Sequence, residues 1–231
     1  MIYAGCSGYS FKEWVGGFYP PKTKASDFLS YYASRLNSVE VNHTFRRFPR
    51  LELSERWAEA TPESFRLSFK MHQSVTHRYR LKNVRQSVED FLERLMPLGP
   101  RLGVVLFQLP PFFKRDMERL ESFVSELPPG HRFAIEFRHE SWNDSEVIRC
   151  LKRAGVALCA AELEIDANEI VQTAPFVYVR LRKEPPYDAG ELASARRLLS
   201  QVGADAEDIY LYVKHDDEGI APEYVLRLVD V

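Results

Sequence analysis

Phe133-Ala134-Ile135-Glu136-Phe137-Arg138-His139 is the stretch that decides the fold. Side chains of a strand alternate between its two faces, so Phe133, Ile135 and Phe137 point one way and Ala134, Glu136 and Arg138 the other. One face is wholly apolar; the other carries an acid and a base two residues apart. Short hydrophobic strands of this kind lie deep in a protein, where an ionised group is costly unless another group answers it. The interior must therefore supply partners for Glu136 and Arg138.

Working outward, the chain repeats this unit. Short apolar segments at Ile2–Cys6, Val39–Asn42, Phe65–Met71, Leu102–Leu109, Val156–Ala161, Phe176–Leu181 and Ile209–Val213 read as further strands. Helical spacing predicts helices over Asp27–Leu36, Leu51–Ala60, Val84–Met96, Met117–Leu127, Asp144–Arg153, Leu192–Val202 and Pro222–Leu228. Asn143 is the expected N-cap of the helix that Gly155 ends. Residues 162–173 are the least legible and read as one short helix at most. Strand and helix alternate in eight units, which implies a parallel sheet, and eight units in 231 residues fit a TIM-type (β/α) barrel: eight parallel strands inside an outer ring of helices. No linker or composition shift divides the chain, so residues 1–231 are read as a single domain.

Composition narrows the class. With 45% hydrophobic and 28% charged residues the chain is neither disordered nor fibrous. Its start, Met1-Ile2-Tyr3-Ala4-Gly5, shows no basic region followed by an apolar run, and no apolar stretch has membrane-spanning length. A soluble cytoplasmic protein with no membrane partner is expected. Cys6, Cys150 and Cys159 form no CxxC pair and are odd in number, which points to buried, reduced thiols. A net charge of −2 exerts no overall pull on nucleic acid, so any such role must rest on a local patch.

In a barrel one parity of each strand faces the helices and the other the axis. The helix-facing parity is apolar throughout: Ala4 and Cys6, Val39 and Val41, Leu67 and Phe69, Val105 and Phe107, Ile135, Val177 and Val179, Leu211 and Val213. The opposite parity turns polar toward the C-terminal strand ends, where barrel enzymes hold their sites. There Glu40, Glu136 and Glu162 face Lys70, Arg138, Arg180, Arg182 and Lys214, a surplus of two positive charges. This balance suits an anionic ligand, a phosphate or carboxylate held by arginine forks. A self-neutralising buried network is the competing interpretation. Lys70 beside Glu136 is read as a proton-transfer pair, as a Schiff-base lysine, or as a plain ion pair. Histidines at 43, 72, 77, 139 and 215 lack HxH or HExxH spacing, so a metal held by Glu136, Glu40 and a histidine is the disfavoured alternative, and the sequence specifies no cofactor. Tyr9, Phe11, Trp14, Phe18, Tyr19, Phe45 and Trp142 offer rings to stack on a sugar or base, or to pack the first loop and the barrel mouth. His215-Asp216-Asp217-Glu218-Gly219 reads as a solvated loop.

Gly5-Cys6-Ser7-Gly8-Tyr9, Trp14-Val15-Gly16 with Phe18-Tyr19-Pro20, Val39-Glu40-Val41-Asn42 with Thr44-Phe45, Thr76-His77, Phe107-Gln108-Leu109-Pro110-Pro111 and Glu136-Phe137-Arg138-His139 with Ser141-Trp142 follow one another in order over the first two thirds of the chain. In these motifs the sequence resembles the YecE-like family, a domain-of-unknown-function family. The resemblance implies a (β/α) barrel and no settled activity. The likeness of that barrel to endonuclease IV-type barrels implies nucleic-acid or phosphate-ester binding by analogy of fold alone. Departures lie at Tyr9 in place of a tryptophan, at Arg46 in place of a tyrosine, and at Arg182-Lys183 and Lys214-His215 in place of His-Gly and an Asn pair; the changes to arginine and lysine add basic character.

Residues and motifs together give the expected site: Glu136, Lys70 and Glu40 as catalytic groups; Ser7, Tyr9, Asn42, His77, Gln108, Arg138, Trp142, Arg180, Arg182 and Lys214 as ligand-binding ones. The leading expectation is an enzyme, a hydrolase or lyase, acting on a phosphorylated sugar-like or nucleotide-like substrate. A module binding single-stranded nucleic acid or another polyanion is the alternative, and an interaction protein without chemistry the third.

Overall fold

A computed structural model describes residues 1–161, 170–183, 185–202 and 206–229. Strands β1 (Ile2–Cys6), β2 (Ser38–Val41), β3 (Arg66–Lys70), β4 (Leu102–Gln108), β5 (Arg132–Glu136), β6 (Ala157–Leu158), β7 (Phe176–Leu181) and β8 (Asp208–Val213) alternate with helices α1 (Phe28–Arg35), α2 (Leu51–Glu59), α3 (Arg85–Leu95), α4 (Met117–Ser125), α5 (Ser145–Ala154), α6 (Ala189–Val202) and α7 (Ala221–Val229). Every strand pairing is parallel. Glu162 and most of the short helix expected between β6 and β7 fall outside the described residues.

The strands do not form one continuous eight-stranded ladder. They form a three-stranded sheet, β1-β8-β7, and a five-stranded sheet, β2-β3-β4-β5-β6. Where Val156–Ala161 was expected as a full strand, β6 holds only two residues, and the Leu158 N–H donates to the Thr173 side-chain hydroxyl at 2.7 Å instead of to a ladder. A single bridge carries it to β7: the Ala160 N–H donates to the Tyr178 carbonyl at 3.0 Å and the Arg180 N–H to the Ala160 carbonyl at 2.8 Å. Between β1 and β2 side chains replace the ladder. The Asn37 amide donates to the Ile2 carbonyl and accepts the Ala4 N–H, both at 2.8 Å, and the Tyr32 hydroxyl accepts the Cys6 N–H at 2.7 Å. Backbone groups at this seam are thereby satisfied, as buried ones must be. Gly5 marks the closest approach, since a Cβ there would stand 1.8 Å from the Ser38 carbonyl oxygen.

Two apolar clusters result. Every residue assigned above to the helix-facing parity lies in the larger one, packed against the helices. A smaller cluster takes the opposite parity of both sheets, among them Val104, Leu106, Ala134, Tyr178, Tyr210 and Tyr212. Tyr212 reaches two serines of the other sheet, its hydroxyl 2.7 Å from Ser38 Oγ and 2.8 Å from Ser68 Oγ. Ser68 Oγ also accepts the Val104 N–H at 3.0 Å, next to the register shift between β3 and β4.

Local chemistry sets several boundaries differently from the sequence reading. Asp144, not Asn143, caps α5, its carboxylate accepting the Glu146 N–H at 2.8 Å, while Gly155 ends the helix at φ 64° as expected. Asp216 is buried and not in a solvated loop: it accepts the N–H groups of Glu218, Ile220 and Ala221 and so caps α7. Trp14 and Tyr19 are buried in the first loop, where the Trp14 indole donates to the Asp216 carbonyl at 2.8 Å. All three cysteines are free and buried. Among the described residues no helix is long and apolar enough to cross a membrane.

Gly5→Ala should remove at least about 3 kcal/mol of stability, because backbone and not a flexible side chain obstructs the added methyl. Asn37→Ala should remove about 2 kcal/mol by deleting two hydrogen bonds. Urea denaturation checks both; a Gly5→Ala midpoint equal to the parent's would show that the β1 to β2 contact is loose.

Candidate active site

The polar residues of the inward parity meet at the C-terminal ends of the strands. Glu40 on β2 is fully buried and filled on both oxygens: Oε1 accepts from Ser7 Oγ at 3.0 Å, Asn42 Nδ2 at 2.9 Å and Arg180 Nη2 at 2.9 Å, and Oε2 from the Tyr178 hydroxyl at 2.8 Å. Glu136 on β5 is equally enclosed: Oε2 accepts from Arg180 Nη1 at 2.7 Å and Gln108 Nε2 at 2.9 Å, and Oε1 from Arg138 Nε at 2.9 Å. Arg180 therefore joins the two carboxylates, and with them the two sheets. Its Nε is buried and has no partner, as is Asn42 Oδ1. These are the answering groups that Glu136 and Arg138 required.

Above this layer opens a cleft of about 550 Å³, lined by Lys70, Arg138, Arg180, Arg182, Lys214 and Arg46 together with Tyr9, Phe11 and Phe45. Neither carboxylate lines it. Among the described residues the two carboxylates lie below the cleft, paired with Arg180 and Arg138, and no Asp or Glu lines the cleft itself.

A family model described as "Protein of unknown function DUF72" matches residues 3–231. The chain belongs to the DUF72 family. The UPF0759 protein YecE of Escherichia coli (strain K12) is 34% identical over 140 residues, 60% of this chain and 49% of that protein. The UPF0759 protein YunF of Bacillus subtilis (strain 168) is 30% identical over 154 residues, 62% of this chain and 52% of that one. This chain spans about half the length of the curated relatives it matches. A DUF72 family protein of Thermotoga maritima, known from its crystal structure, is 26% identical and superposes with a TM-score of 0.85 over 99% of this chain and 97% of that one.

In this DUF72 protein the expected site residues separate into three groups. Ser7, Glu40, Asn42, Lys70, Gln108, Glu136, Arg138 and Arg180 form one connected set, and Tyr9, Arg182 and Lys214 join it as cleft lining. His77 sits beside the set, its ring 4.9 Å from that of Phe45. Trp142 does not take part: it is buried, stacked on Phe137 at 4.4 Å, with its indole donating to the Phe113 carbonyl at 2.7 Å. Tyr178 was missed as a partner of Glu40, although its place two residues before Arg180 puts it on the same face. Arg46, Phe11 and His215 also line the cleft; lying in loops, they carry no strand parity to betray them.

The expected Lys70–Glu136 proton-transfer pair is not formed. Gln108 stands between them, with Lys70 Nζ donating to its Oε1 at 2.6 Å and its Nε2 donating to Glu136. An amide carries no titratable proton, so the link orients the two charges without relaying a proton. Burial and the nearby Arg180 charge lower the Lys70 ammonium to about 8, against the opposing pull of Glu40 and Glu136. Its Nζ also lies 4.2 Å from the centre of the Phe45 ring. Burial alone would raise the Glu136 carboxyl; the Arg180 charge, the Gln108 hydrogen bond and Arg138 outweigh it and hold the carboxyl below its ordinary value. Arg180 is held well above the usual guanidinium range, because Glu40 and Glu136 outweigh its desolvation. Among the described residues, no group of three or more His, Cys, Asp or Glu side chains is placed to hold a metal ion.

Glu136→Gln should cost about 3–5 kcal/mol, because it leaves Arg180 half-answered in the interior. Because the folded Glu136 carboxyl is lowered from 4.5, its stabilising share is complete above that value and is lost as pH falls through the lower folded value. Urea midpoints measured from pH 3 to 6 should therefore fall more steeply for the parent than for Glu136→Gln; parallel curves would remove Glu136 from the network's energetics.

Proposed function

We propose that the cleft binds a small phosphorylated ligand, sugar-like or nucleotide-like, and that Lys70 is the group able to transfer a proton there. In this reading the two sheets share one axis as a TIM-type barrel opened at the Asn37 seam, and the cleft is its C-terminal mouth. The observation that carries it is the division of charge among the described residues: both carboxylates are sequestered below, while Lys70, Arg138 and Arg46 line the space above. Arginine forks and a desolvated lysine match phosphate oxygens in geometry and charge.

Glu40 and Glu136 then act as positioning residues that aim Arg180 and Arg138. Their acceptor sites are occupied, and Glu136 is too weakly basic to serve as the base. Lys70, at about 8, is a protonated acid at neutral pH with a neutral fraction of roughly a tenth, suited to both directions of proton transfer in a hydrolase- or lyase-type step. The same neutral fraction makes a Schiff base with a carbonyl substrate a second reading, which borohydride trapping at Lys70 distinguishes.

Thermal-shift titration with sugar phosphates and nucleotides, each beside its dephosphorylated counterpart, tests the binding. Only phosphorylated members should stabilise the protein; equal shifts from both would refute the anion site. Raising pH from 7 to 9 takes Lys70 through about 8 and removes its charge, so affinity should fall by about tenfold, the value of one charge-assisted hydrogen bond. Lys70→Met should be weak throughout and lack this step.

A further inference from the structure

The loops that follow β2 and β3 carry a concentration of positive charge that a small ligand does not explain. No Asp or Glu occurs between residues 41 and 51 or between 71 and 88, although the whole chain has a net charge of −2. In the first loop Arg46, Arg47 and Arg50 are exposed; in the second Arg78, Arg80 and Lys82 are. None of these six has a carboxylate partner among the described residues, whereas Arg85, just beyond, is paired with Glu89.

The loops form one surface. His72 Nε2 lies 3.3 Å from the Arg46 carbonyl, the ring of Phe48 packs 4.8 Å from that of His72, and Phe45 meets His77. Arg46 belongs both to this surface and to the cleft lining, so the two are continuous.

The second loop is held in shape. Arg80, Leu81 and Asn83 adopt left-handed backbone angles, φ 48°, 67° and 52°, which non-glycine residues rarely take. Leu81 is only 3% exposed and its N–H donates to the Val75 carbonyl at 2.9 Å, while the Lys82 N–H donates to the Tyr79 carbonyl at 3.0 Å. The buried leucine pins the turn; its neighbours Arg80 and Lys82 are turned to solvent. Tyr79 is 48% exposed, and the Arg78 guanidinium lies 5.3 Å from its ring centre.

We infer that this surface binds the backbone of a single-stranded nucleic acid. Six exposed cations without a carboxylate partner among the described residues, carried on two touching loops, match a run of phosphates in charge, and an exposed ring beside a guanidinium matches an unstacked base. A duplex keeps its bases stacked inside and gives Tyr79 nothing to stack on. A run of Asp and Glu supplies charge without planar rings. A membrane would need several exposed aliphatic side chains, and Tyr79 is the one large hydrophobic side chain exposed within residues 43–50 and 74–83. The inference goes beyond the cleft reading and does not depend on it.

The test is fluorescence anisotropy with a labelled twelve-nucleotide oligothymidylate at pH 7. Binding is expected at 50 mM salt, weakening about 50-fold by 200 mM if about four phosphates are neutralised. Arg47→Glu, Arg80→Glu and Lys82→Glu combined should abolish it, while reversing Arg35, Lys152 and Arg197 together, the same change in net charge placed on helices α1, α5 and α6, should leave more than half the affinity. Tyr79→Ala should weaken binding about tenfold with the salt slope unchanged. Circular dichroism confirms that each variant is folded. Lys70→Met should keep oligonucleotide binding while losing the small phosphorylated ligand, which separates failure of this surface from failure of the cleft. The inference is overturned if the wild type does not bind, if the loop variant binds like the wild type, if a twelve-base-pair duplex binds as tightly, or if polyglutamate of equal length competes equally.

Discussion

Two buried carboxylates lie opposite one guanidinium, and the rest of this structure is arranged so that they can. Arg180 stands on β7, in the three-stranded sheet; Glu40 and Glu136 stand on β2 and β5, in the five-stranded one. Among the described residues, backbone ladders do not span either junction between the sheets beyond the bridge at Ala160. The guanidinium fork holds the two sheets together at the C-terminal end, where hydrogen-bonded ladders are lacking. Taking three ionised groups out of water is expensive, and a buried pair repays that cost only with good geometry and every remaining lone pair filled. Here Ser7, Asn42, Tyr178, Gln108 and Arg138 fill them.

The same burial shapes what chemistry is left. With both carboxylates engaged by arginines, the described residues that face the cleft are cations, aromatic rings and neutral groups such as Ser7, Asn42 and Gln108, with no Asp or Glu among them. Lys70 feels the desolvation without gaining a direct carboxylate contact, because Gln108 takes that place. A structural network and a reactive lysine are thus consequences of one arrangement: the acids neutralise Arg180 closely and Lys70 only at a distance.

Along the strands the character changes in layers. At the N-terminal end, Tyr3, Tyr210 and Phe176 gather around the Arg132–Asp208 pair. In the middle, Tyr212 ties Ser38 and Ser68, and apolar residues of β4 and β5 fill the remaining space. The extended network of charged groups lies at the C-terminal ends of the strands, and the loops after β2 and β3 carry exposed cations. Catalysis and recognition are accordingly proposed at one end, while the other end bears the marks of packing.

Strand parity and the partition of apolar from polar faces were determined by the sequence alone, because a period of two admits only one assignment once one face is wholly apolar. From that followed the helix-facing core and the convergence of Glu40, Lys70, Gln108, Glu136 and Arg180. Trp142 went astray because an aromatic residue near a strand end looks the same whether it lines a mouth or fills a core. Which donor meets which oxygen, the interposition of Gln108, the seam at Asn37, the shortness of β6 and the joining of two basic loops were decided only by tertiary structure. Each depends on distances between residues far apart in the chain, set by how closely backbones such as Gly5 and Ser38 can approach, and no local pattern of residues encodes that approach.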